Sequence, residues 1–214
     1  LSAEARELII QFNLKSTFGM VGTVDGSLKR WELGSFPVPI WSNVGTPDDL
    51  EAVVNFWQSE SGGIFSFRIV SGTAEAQIVL DKQWPPPFPV PDGICGSGGP
   101  RQIQNSVVLF GSGNFAAGTN PECDRTPIRE TMAHELGHIL VPLAGHTTNG
   151  HILSVPNGSS RWRPSAVLKE VIHWLDTMRV AHACEWIQFA SPRLGWVGLA
   201  GPDWEQYGVI WRRK

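Results

Sequence analysis

Hydrophobic positions along the chain alternate with polar ones in several short runs and elsewhere recur every three to four residues, periods that predict strands and helices respectively. "LIIQFNL" (8–14) has strand composition, and "VDGSLKRW" (24–31) reads as a turn leading into a second extended piece. "FPVPIWSN" (36–43) predicts another strand, closed by the turn residues of "NVGTPDD". Thr46 then offers a helix N-cap, with Pro47 at the first helical position and Asp48 and Asp49 in the first turn. Leu50, Val53, Val54 and Trp57 make one apolar stripe, so a helix is expected from about 47 to 59. "IFSFRIV" (64–70), "AQIVLD" (76–81) and "NSVVLF" (105–110) predict strands. Between them "WPPPFPVPDGICGSGGP" (84–100) fits neither a helix nor a central strand and reads as a long, stiff surface loop. "GSGNFAAGTNPECDR" is a second irregular stretch. A helix follows, with Thr126 as cap and Pro127 in its first position, running to about Leu140 and broken by Pro142. Val167, Val171, Trp174, Leu175 and Met178 predict a further helix within 164–186, and the tail reads as a hairpin around Gly201-Pro202-Asp203. No repeat or low-complexity segment interrupts this order. Strands alternating with helices indicate an α/β (α+β) layer structure.

Composition narrows the function more than the fold. A chain of 214 residues with 42% apolar content can be one domain or a main domain with a small addition, here 36–186 with a Trp-rich tail at 187–214 and a stretch at 1–35 that is either an extension or part of the main domain. The net charge of −3 gives no basic field for nucleic acid or an anionic membrane, and no apolar run has the length of a membrane span. Nucleic acid and membrane are therefore not the expected partners. Ten tryptophans against one tyrosine serve either core packing or a substrate groove. Of the three cysteines, Cys95 and Cys123 sit in Gly/Pro-rich stretches and could form one disulfide, while Cys184 reads as a buried thiol. That pair, together with a first residue that is Leu rather than Met, favours a secreted protein.

The chemistry concentrates in "RETMAHELGHILVPLAGH" (129–146). His134 and His138 are four residues apart, so on a helix they face the same way one turn apart and can hold a zinc ion between two neutral imidazoles. Glu135 beside them is placed to take a proton from water. Composition alone predicts about 0.01 such H-E-x-x-H matches per chain, so the motif outweighs the alternative of a structural helix with solvent-facing histidines. A catalytic zinc takes three protein ligands and leaves a position open. His146 is the leading third ligand, because Pro142 ends the helix and Gly145 can reverse the chain. His151 and Glu170 are its rivals, the latter defining a zinc peptidase of the glutamate-ligand type. His173 and His182 read as ordinary core or surface histidines.

"HELGHILVPLAGH" resembles the metzincin signature H-E-x-x-H-x-x-G-x-x-H, and the nearest branch is the matrixins, the matrix-metalloproteinase-like peptidases. "PVPIWSNVGTPDDLEAVVNFWQSESGGIFSFRIV" followed by "AQIVLD" is similar to the matrixin order of strand, Trp-containing helix, strand, strand. "HTTNGHILSVP" is similar to the segment with the family's Met-turn. The resemblance spans about residues 36 to 180. It implies a twisted mixed sheet packed on two long helices, an active-site helix and a C-terminal helix. It also implies one catalytic zinc on His134, His138 and His146, with Glu135 as general base for peptide hydrolysis. The chain departs from the family at two places. Seven residues rather than five separate His138 from His146, with Val141 in the position of the family's glycine, and Ser154 stands where the Met-turn has methionine. No Asp/His-rich loop matches the family's structural Ca2+ site. A substrate would add as a strand along an exposed sheet edge above the active helix, with 84–100 and 147–163, including Trp162, lining the cleft. The reading from another class is a non-catalytic binding protein on the same fold.

Overall fold

A computed structural model of the chain describes residues 2–9, 30–83, 95–104, 107–116, 123, 127–141 and 166–180, and the backbone of 188–191, 195–198, 204–207 and 210–213. Its centre is a five-stranded sheet of β1 (Val38–Ser42), β2 (Phe67–Ile69), β3 (Ile78–Asp81), β4 (Gly96–Gln104) and β5 (Val107–Phe115), in the order β2-β1-β3-β5-β4. All neighbours run parallel except β4, which pairs antiparallel with β5 and forms one edge. Parallel neighbours need crossovers, and α2 (Pro47–Glu60) supplies the one between β1 and β2. α3 (Ile128–Leu140) lies along β4 and β5 and also packs on α2, and α4 (Ala166–Val180) packs near a short helix, α1 (Ala3–Leu8). This mixed α/β architecture agrees with the layer structure expected from the order of elements.

Local chemistry accounts for α2 as expected. Thr46 Oγ1 accepts from the Asp49 N–H, and the Asp49 carboxylate accepts from the Thr46 N–H at 2.8 Å, a reciprocal cap. Gly45 precedes it at φ +65°, where a Cβ would stand 2.8 Å from that same carboxylate. Leu50, Val53, Val54 and Trp57 are the buried stripe of the helix. They join Val38, Ile40, Ile78, Leu80, Val108 and Phe115 from the sheet and Met132, Leu136 and Ile139 from α3 in one core.

Four expectations are corrected. Leu8 and Ile9 do not begin a strand: Leu8 closes α1 and Ile9 continues its helical path, while 10–14 lie outside the described residues. The Ser2 hydroxyl caps this helix by accepting from the Ala5 N–H at 3.1 Å, and Ala5, Leu8 and Ile9 form its buried face, a spacing of three and four that outweighs strand composition. Residues 96–100 are not loop but the first half of the edge strand β4, and 111–115 are not irregular but the second half of β5. In the third correction, Pro127 and not Thr126 stands as N-cap of α3, so the helix opens one position later than expected, at Ile128. The fourth concerns the tail, where among the described residues β6 (Gln188–Ser191) pairs with β7 (Gly195–Gly198) and β8 (Trp204–Tyr207) with β9 (Ile210–Arg213), and not β7 with β8. Only Gly208 and Val209 separate β8 from β9, the spacing of a two-residue hairpin. The expected loop at 84–94, the turn at 201–203 and Cys184 lie outside the described residues.

Candidate metal centre

α3 is fastened along its length by side chains from other elements. The Trp57 indole N–H, from α2, donates to the carbonyl of Ala133 at 2.9 Å, immediately before His134. The Trp31 indole N–H donates to the Ile139 carbonyl at 2.9 Å, one of the last-turn carbonyls that a helix leaves without an internal partner. In the first turn Arg129 pairs with Asp49 of the α2 cap. Trp31 is 1% exposed and Trp57 is fully buried, so for these two tryptophans the packing role is the observed one.

Within this frame His134 and His138 bring their Nε2 atoms to 3.1 Å, with the ring planes 78° apart. Two imidazole nitrogens on one tetrahedral zinc at about 2.0–2.1 Å from each stand about 3.3 Å apart. The pair is therefore spaced as two ligands of one ion would be, and a cation could take the place of the proton that a neutral pair shares. His134 is half-buried and His138 is buried, not solvent-facing as in a merely structural helix. Glu135 lies between them in sequence, and the donor atoms of all three residues fall within 4.8 Å of one another. Among the described residues this is the group of His, Cys, Asp and Glu side chains that fits a metal ion.

Glu135 is buried, at 6% exposure. Burial pushes its pKa up to about 8, against an opposing pull from the Gly98 N–H.

Of the proposed third ligands, His146 and His151 lie outside the described residues, as do Ser154, Trp162 and His182. Glu170 is described and is not gathered with the histidine pair. Its carboxylate accepts from the Ser2 hydroxyl at 2.7 Å and the Ser2 N–H at 2.5 Å, and these bonds hold its pKa below the usual carboxylate range. His173 is exposed on α4. Cys95 and Cys123 are joined as a disulfide, the pairing their positions suggested.

Two contributors escaped the sequence reading. The indole donors Trp31 and Trp57 give no local signal of which carbonyls they reach. Gly96 and Gly98 do carry one: glycine at alternate positions of an extended segment places two bare positions on one strand face, the mark of a close neighbour. That neighbour is Glu135.

Comparison with models of known protein families finds no match, and no curated protein is significantly similar to the chain.

Proposed function

We propose that this chain is a zinc-dependent endopeptidase of the metzincin type, matrixin-like in its layout, that hydrolyses peptide bonds with Glu135 as general base. The observation that carries the reading is the approach of the His134 and His138 Nε2 atoms to 3.1 Å with the buried Glu135 carboxyl beside them. β4 supports it from the side of the substrate, because an edge strand lying along α3 is where an extended peptide would add.

A bound zinc supplies a Lewis acid that acidifies water and polarises a carbonyl. The chain's own part is the proton traffic. Glu135 accepts the proton of the attacking water and returns it to the leaving amine. His134 and His138 contribute two neutral nitrogens, and His146 is the third ligand of choice, with His151 its rival. The glutamate-ligand alternative has less support, since the Glu170 carboxylate is engaged by Ser2 at the start of α1. A non-catalytic binding role leaves the burial of Glu135 beside two histidines without a purpose. The same reading makes the protein a secreted monomer acting on protein or peptide substrates.

The test is zinc content by mass spectrometry alongside cleavage of a peptide library with and without chelator. One bound zinc and chelator-sensitive cleavage are expected in the wild type. Glu135→Gln should keep the zinc and lose about 10²–10⁴-fold in cleavage rate. His134→Ala and His138→Ala should lose the metal. A metal-free wild type, or cleavage by Glu135→Gln at the wild-type rate, rejects the proposal.

A further inference from the structure

The start of β4 touches α3 in a way that concerns one residue. A Cβ on Gly98 would lie 2.4 Å from the carbonyl oxygen of Glu135 and 2.9 Å from its Cα; one on Gly96 would lie 2.8 Å from both its Cγ and its Oε1. The next residue, Gly99, would carry a Cβ into open space, with nothing within 4 Å. The close approach is thus specific to the face that carries 96 and 98. On that face the Gly98 N–H stands near enough to the Glu135 carboxylate to favour its charged form. A backbone donor in a paired strand cannot rotate away, so a carboxylate bonded to it loses most of its freedom about χ3. The strand is itself held on both sides of this point. Cys95 is bonded to Cys123, its carbonyl accepts from the Ala116 N–H at 3.0 Å, and Gly96 to Pro100 pair with Phe115 to Gly111.

We propose that the Gly96–Gly98 stretch of β4 is a positioning element for Glu135: the Gly98 N–H fixes the carboxylate, and the missing side chains at 96 and 98 let the strand come close enough to do so. The catalytic meaning of this contact rests on the peptidase reading above; the contact itself does not. Gly98 acts through Glu135 and is a positioning residue, not a catalytic one.

Replacing the Gly98 amide with an ester, through an α-hydroxy acid incorporated at that codon, removes the donor without adding a side chain. On a fluorogenic peptide kcat should fall by about tenfold to a hundredfold, with KM and zinc content unchanged. In a Glu135→Gln background the same ester should lower the residual rate no further, whereas a merely loosened strand would lower both backgrounds alike. Gly99→Ala should keep wild-type kcat. A second measurement needs no activity: the Gly98 amide should exchange with solvent at least about tenfold faster in Glu135→Ala than in the wild type, read by NMR. Unchanged exchange overturns the contact, and an ester with wild-type kcat, or equal losses in the two backgrounds, overturns its role. A wild type without zinc-dependent cleavage instead rejects the peptidase reading and the catalytic role with it, while the exchange rate still decides the contact.

Discussion

Asp49 shows how one carboxylate can serve two elements. It closes the reciprocal cap of α2 and pairs with Arg129 in the first turn of α3. The Arg129 guanidinium, followed by the Thr46 N–H and hydroxyl, lowers its pKa from 3.8 to about 2. A carboxylate depressed by folding adds stability above its unfolded pKa, and that share disappears as pH falls from near 4 towards 2. Arg129 is largely exposed, so the pair is screened by solvent and contributes at most about 1 kcal/mol, with the cap worth about as much again. Asp49→Asn is therefore expected to unfold at a lower temperature than the wild type at pH 7, and the two melting curves should converge near pH 2. A gap that persists at pH 2 would mean that the charge is not what matters. Thr46, Pro47 and the two aspartates announced the helix start in the sequence; the partnership with Arg129, 80 positions away, had no local mark.

At the scale of elements, glycine misled the reading wherever it marked closeness instead of a turn. "GSGNF" has loop composition, yet it is the second half of β5, paired with β3 on one side and β4 on the other. The reason is α3: a Cβ on Gly111 would lie 2.3 Å from Ile139 Cγ2, so this position is bare to admit the helix. Gly111→Ala should accordingly cost about 1–3 kcal/mol in denaturant unfolding, an overpacking penalty, whereas Gly99→Ala should be neutral within error. Helix α2 was legible from cap and apolar spacing together, α3 from its start and stop prolines, and α4 from apolar spacing alone. α1 was not, because a single buried face of three residues is too short to outweigh Leu-Ile-Ile. The Cys95–Cys123 bond closes a separation of 28 residues around β4 and β5. On the chain-entropy model its loss costs about 3–4 kcal/mol. Cys95→Ser should lower the melting temperature markedly, and a reductant should do the same to the wild type but not to the variant.

For the whole molecule, the sequence left residues 1–35 as either an extension or part of the main domain, and the core includes residues from that stretch. Ala5, Leu8, Ile9 and Trp31 are buried in the same cluster as Val38, Ile40 and Ile139. A chain beginning at residue 36 would forfeit these contacts and the indole bond to the last turn of α3, and is expected to lose cooperative thermal unfolding. The histidine pair and its glutamate were readable from sequence because one helical turn brings them together without help from the rest of the fold. A third ligand for the proposed zinc would depend on chain path, which periodicity does not encode. Zinc content of His146→Ala and His151→Ala decides it: loss of metal in the first alone is the expected result, and loss in the second alone would reassign the ligand.

The two margins of the central sheet differ in a way that bears on solubility. β2 is three residues long and carries Arg68, so although Ile69 is 49% exposed, that margin offers little backbone for a second molecule to stack against. β4, three times longer, is kinked by register shifts around Pro100 and Gln102. Concentrated samples should therefore scatter light no more for the wild type than for Ile69→Lys.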